Sequence, residues 1–75
     1  MTDTKMLEAL VDSSLNCIKK NIGNIYPDLK SEVLDARQYW KGFFLQFFPD
    51  KVQHMMDYYD DKARELVGDL HGTTN

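Results

Sequence analysis

Tyr39-Trp40-Lys41-Gly42-Phe43-Phe44-Leu45-Gln46-Phe47-Phe48 decides how this chain is read. Six of its nine aromatic residues fall in these ten positions, as three adjacent pairs. The pairs recur every four residues, close to the 3.6-residue period of an α-helix. At about 100° per residue, the first ring of each pair lies on one flank of an apolar arc and the second on the other. Val33 and Ala36 fall inside that arc, and Leu34 and Leu45 lie beyond it. More than half of this helix is apolar, whereas a helix on the outside of a bundle needs an arc of only ~100°.

Strong breakers bracket the aromatic stretch. Tyr26-Pro27-Asp28 precedes it and Pro49-Asp50 ends it. Proline lacks an amide donor and disfavours helix at the residue before it. The aromatic helix therefore spans about 28–48. Gly42 lies inside it and costs ~1 kcal/mol relative to alanine. The missing side chain allows a neighbouring backbone to come close.

Two more helices follow from periodicity. Residues 4–22 place Leu7, Val11, Leu15, Ile18 and Ile22 on one line, with Met6, Leu10, Ser14 and Cys17 beside it. Asp3 or Thr4 caps the start, and Lys19 and Lys20 suit the negative end of the helix dipole. Gly23 and Asn24 supply the stop. Residues 50–70 place Val52, Met55, Met56, Tyr59, Ala63, Leu66, Val67 and Leu70 on an apolar face. Asp50 and Gln53 have the spacing of a capping box. Gly72 ends the element, and residues 71–75 form a frayed tail.

The fold expected is all-α, a single domain over 1–75, built as a small antiparallel three-helix bundle completed by dimerisation. A monomer of this size has little material with which to cover six large rings, although its core is large enough to hold them.

Composition narrows the function. The formal net charge is −3, without the basic patch of a general nucleic-acid binder. No apolar run approaches the ~20 residues of a membrane span, and the acid-broken start is unlike a signal peptide. One cysteine, Cys17, excludes an intrachain disulfide and fits a reducing compartment. The chain reads as a complete, soluble, cytoplasmic protein.

No catalytic constellation emerges. Cys17 lies on an apolar helical flank, as a structural thiol does. Ser13-Ser14 lack a nucleophile-elbow context, and His71 stands near the tail. Asp50, His54, Asp57, Asp61 and Glu65 share one face of the third helix. They read as a solvated acidic face, because one straight helix does not surround a metal. No cofactor is expected.

The expected function is therefore non-enzymatic: a small regulator or adaptor that binds another protein or its own copy. Tyr39, Trp40, Phe43, Phe44, Phe47 and Phe48 form the expected partner-binding surface. Met55, Met56 and Tyr58 support it, and Arg37 and Lys41 stand at its rim. Trp40 is the leading anchor, since tryptophan is enriched at interface hot spots. Two other readings compete: a small helical nucleic-acid-binding regulator and a peripheral membrane-interface protein. Basic residues are scattered over all three helices among acids, which weakens the first. The lysine- and arginine-poor polar face of the aromatic helix weakens the second.

Overall fold

The apolar lines of the first and third segments each curl into a helix, and the aromatic helix packs against both. The computed structural model describes residues 3–22 and 29–68. Three α-helices account for nearly all of them: α1 (Asp3–Ile22), α2 (Leu29–Phe47) and α3 (Val52–Val67). A single 3-10 turn, Pro49–Lys51, joins α2 to α3. Among the described residues there is no strand.

Pro49 causes that turn. Without a proline amide, the helical ladder stops after the Phe48 N–H donates to the Phe44 carbonyl at 2.8 Å. The Lys51 N–H then closes the 3-10 turn on the Phe48 carbonyl at 2.9 Å. The expected capping box does not form. No side chain caps the start of α3, and the Gln53 amide donates instead to Asp57 at 3.1 Å. Regular α-helix consequently begins at Val52, two residues later than the sequence suggests.

The third helix also ends early. Gly68 adopts φ 86°, a left-handed conformation that glycine tolerates without a Cβ clash. Its N–H caps the Arg64 carbonyl at 2.8 Å. Gly68 is thus the terminator of α3. The expected stop at Gly72, the tail at 71–75, and the stop at Gly23 and Asn24 lie outside the described residues.

The core draws on all three helices. Leu7, Val11 and Leu15 come from α1, Val33 and Phe44 from α2, and Met55, Met56, Tyr59 and Ala63 from α3. Tyr59 is fully enclosed, and its hydroxyl donates to the Val33 carbonyl at 2.6 Å. Burial raises the ionisation point of that hydroxyl; Arg37 pulls against the shift and Asp60 adds to it. The buried polar atom is therefore satisfied and stays neutral.

Polar pairs hold the helices in register around this core. Glu8 meets His54 at 2.8 Å, and one turn on the Tyr58 hydroxyl donates to both oxygens of Asp12 at 2.9 Å. These two contacts ascend α1 and α3 in step. Between α2 and α3, Arg37 grips Asp60 through Nε at 2.6 Å and Nη2 at 2.9 Å. Between α1 and α2, the Trp40 Nε1–H donates to Ser14 Oγ at 3.1 Å.

Candidate functional site

The six aromatic side chains of α2 and its end form one connected set of rings. Trp40 makes edge contacts with Tyr39 at 5.4 Å and Phe43 at 5.5 Å, and stacks on Phe44 at 5.5 Å. Phe43 continues the chain to Phe44, Phe47 and Phe48, with centroids 5.5, 5.1 and 6.0 Å away. Such separations lie within the favourable range for aromatic pairs.

Within the pairs, the second ring faces inward more than the first. Phe44 is 0 % exposed, while Tyr39 is 66 % and Phe47 58 % exposed. Trp40, Phe43 and Phe48 are half-buried against the core. The helical projection explains most of this, because Val33 and Phe44 mark the core direction and Tyr39 stands farthest from it. Phe47, the last residue of α2, lies closer to that direction and is exposed all the same.

Adjacent α1 residues extend the exposed rings into a face. Ser14, bonded to Trp40, marks the side of α1 that meets α2. Leu10 lies one turn before it and Met6 one turn before that. Both are exposed, at 43 % and 51 %. Glu8 and Asp12, which meet α3, occupy the opposite flank of α1. The late part of α2 adjoins the start of α3 through the Pro49 turn, and the start of α3 adjoins Glu8. Met6 and Leu10 therefore share an end of the molecule with Phe43 and Phe47.

The middle of this face is uncharged, whereas the same strips carry the exposed Asp3 on α1 and the exposed Glu32 and Asp35 on α2. On α2 it carries Tyr39, Gly42, Phe43, Gln46 and Phe47, and on α1 Met6, Leu10 and Ser13, in a chain of which 28 % is charged. Tyr39, Phe47, Met6 and Leu10 together expose roughly 400 Å² of mostly apolar surface, the range in which patches on monomers are often functional. Loose folding does not account for the patch. The chain exposes 4940 Å², close to the ~4,800 Å² of an ordinary folded monomer of this mass.

Other residues expected at a partner surface are engaged inside the chain. Phe44 and Met55 are fully buried and Met56 nearly so, so no partner reaches them in this arrangement. Tyr58 is half-buried and bonded to Asp12, with the Lys62 ammonium 5.6 Å from its ring centre. Burial first, then the bond to Asp12, pushes its ionisation point up to about 12. Arg37 is held by Asp60, whose hydrogen bond raises the arginine's already high ionisation point. Trp40, the expected anchor, uses its N–H on Ser14. Lys41 is exposed and stands outside the apolar face.

Met6 and Leu10 are the members of the face that sequence reasoning missed. Both appear in the periodicity as a second line beside the buried one. The signal was the width of the apolar arc on the first helix, which exceeds what its packing needs. Cys17 belongs to the same flank and is exposed rather than buried, because it points well away from the Leu7–Val11–Leu15 line.

Asp50 in the 3-10 turn and His54, Asp57, Asp61 and Glu65 on α3 are exposed, His54 while paired with Glu8. Asp50 pairs with Lys51 at 3.7 Å and Asp61 with Arg64 at 3.0 Å. Among the described residues no three of His, Cys, Asp and Glu come together as metal ligands. Between α1 and α3 lies an open groove of about 350 Å³, where Asp12 and Glu65 alternate with Lys19 and Lys62 over Leu15 and Leu66. Its mixed charges favour neither an anion nor a cation. No helix among the described residues is long and apolar enough to cross a membrane. No family model matches this sequence, and no curated protein or solved structure matches it.

Proposed function

We propose that this chain is a non-enzymatic interaction module, a small regulator or adaptor that docks through the α1–α2 face. The observation that carries the reading is the uncharged, exposed apolar surface of Tyr39, Phe43, Phe47, Met6 and Leu10. Interface centres are depleted of charge and enriched in aromatics and methionine. Here that composition occurs on one side of a chain whose opposite seam, between α1 and α3, is polar and internally paired. A cytoplasmic setting accords with the single cysteine.

The bundle we propose is antiparallel in the up-down-up sense. The in-step contacts Glu8–His54 and Asp12–Tyr58 support a common direction for α1 and α3. The tight Pro49 turn supports a reversed α2.

A photoreactive phenylalanine analogue tests the reading when placed at position 47 and, as a control, at position 57. Both sites are exposed, one on the apolar face and one on the acidic face. Irradiation in the native cell should give discrete protein adducts from position 47 and few from position 57. Equal labelling at both sites, or none at 47, would overturn the proposal.

A further inference from the structure

We infer that the groove between α1 and α3 is a binding site for a small zwitterion with an apolar body, of the class of a free amino acid with a large aliphatic side chain. The inference is independent of the α1–α2 face.

The seam that leads into this groove is a ladder with a constant step. Glu8 meets His54 and Asp12 meets Tyr58, each pair 46 positions apart. The same offset pairs Asn16 with Lys62 and Lys19 with Glu65. Those next two rungs are open. The Lys62 ammonium lies 5.6 Å from the centre of the Tyr58 ring. Among the described residues, no ion pair holds Lys19, Lys62 or Glu65. A lysine and a glutamate thus stand in register on the two walls without meeting, and the seam parts into the groove between them.

Size and lining define what fits there. The groove holds about 350 Å³, the lower end of the range for small-ligand sites and room for about ten waters. Leu15, only 5 % exposed, and half-buried Leu66 supply its apolar ground. The charged groups around it are Asp12, Lys19, Lys62 and Glu65, two of each sign. Asp12 is engaged by the Tyr58 hydroxyl. One carboxylate and two ammonium groups therefore remain for a ligand.

The signs select a ligand that carries both charges. A simple anion drawn to the lysines meets Glu65, and a simple cation drawn to Glu65 meets the lysines; like charges at such range repel. A fatty acid brings no cation for Glu65, and a nucleotide brings several anions against it. An amino acid suits both walls. Its carboxylate accepts from Lys19 or Lys62 and its ammonium donates to Glu65, as charge-assisted hydrogen bonds. The Asn16 amide donates and accepts, so it serves either group. The aliphatic side chain then covers Leu15 and Leu66 and leaves water.

Titration of the isotope-labelled full chain with L-leucine, followed by backbone amide NMR, tests the inference. Leucine should give saturable shifts at Leu15, Asn16, Lys19, Lys62 and Leu66, with a Kd of about 1 mM, and leave Phe47 unmoved. N-acetyl-leucine lacks the ammonium and leucine amide lacks the carboxylate; each should bind wild type about 10-fold more weakly. Glu65→Gln should weaken leucine about 10-fold and leave N-acetyl-leucine unchanged. The double variant Lys19→Gln, Lys62→Gln should weaken leucine likewise and leave leucine amide unchanged. All three substitutions lie at the surface, and circular dichroism should show wild-type helix content. No saturable shift up to about 20 mM leucine overturns the site. So do shifts spread over the whole surface. Equal affinity for leucine and N-acetyl-leucine, or leucine binding undiminished in Glu65→Gln, overturns the zwitterion as its ligand.

Discussion

The α1–α3 seam and the α1–α2 edge use the same helix in opposite ways. Along the seam, Glu8 and Asp12 reach across to His54 and Tyr58, so polar groups on the outside of the contact find partners within the chain. Along the edge, the polar bond from Trp40 to Ser14 lies under a ridge of rings that end in open solvent. A seam with its own partners needs nothing further. An edge whose apolar surface runs on past the core leaves that surface open to solvent. On the function proposed above, the two flanks of α1 divide stability from recognition.

The largest effect that sharpens this division comes from two rings three residues apart. Phe44→Ala removes a fully buried ring and should cost about 3–5 kcal/mol. A 75-residue chain has a total stability of only about 4–11 kcal/mol, so the variant should lose a large share of it, read as a much lower midpoint in chemical denaturation. Phe47→Ala, on the edge, should change monomer stability by about 0.5 kcal/mol or less. Equal losses at both positions would erase the distinction between core and edge.

Next in size is the Arg37–Asp60 clamp, a two-point contact between a guanidinium and a carboxylate in partly buried surroundings. Asp60→Ala leaves Arg37 without its acceptor and should cost about 1–2 kcal/mol in urea midpoint experiments. Arg37→Lys should recover only part of this loss, because an ammonium cannot make the parallel pair of bonds.

The seam can be probed by pH. Tyr58 ionises near 12 in the fold against an ordinary 10.0, and Tyr59 is shifted in the same direction. Both hydroxyls stay protonated longer in the fold than in the unfolded chain. Their contribution is therefore complete below about pH 10; that of Tyr58 is lost as pH rises through about 12, and that of Tyr59 at higher pH still. Thermal midpoints should fall steadily over that window. Tyr58→Phe should cost about 1 kcal/mol at neutral pH and flatten the alkaline decline. A decline of unchanged steepness in Tyr58→Phe would show that the seam tyrosine is not its source.

The smallest effect belongs to the Trp40–Ser14 bond under the edge. Ser14→Ala should cost about 0.5–1 kcal/mol, since it leaves a half-buried indole N–H unpaired. Differential scanning calorimetry resolves a shift of this size. A neutral outcome would mean that water replaces the serine.

The three helices and the break at Pro49 were legible because periodicity and proline act locally. The exposure of Tyr39 and the burial of Phe44 followed from the helical projection once Val33 fixed the core direction. The exposure of Phe47 did not, since its projected angle lies close to that of half-buried Trp40. Cross-helix pairing was also hidden, since periodicity says nothing of how one helix is rotated or raised against another. One trace of it was present: Glu8 and Asp12 have the same four-residue spacing as His54 and Tyr58, as rungs between aligned helices must. Gly68 was overlooked as a stop because the apolar pattern ran on through Leu70. The capping box failed because Pro49 tightened the backbone into a 3-10 turn, which placed Asp50 outside the cap position.

Trp40 is the chain's one tryptophan, and its position makes it a built-in optical probe. Its indole stacks on a buried ring, touches an exposed one and binds a hydroxyl of the neighbouring helix. Emission from this site should redden when α1 separates from α2 and move toward the blue when the ridge above it is covered. Unfolding and docking would thus shift the same band in opposite directions, so both can be followed in unlabelled protein.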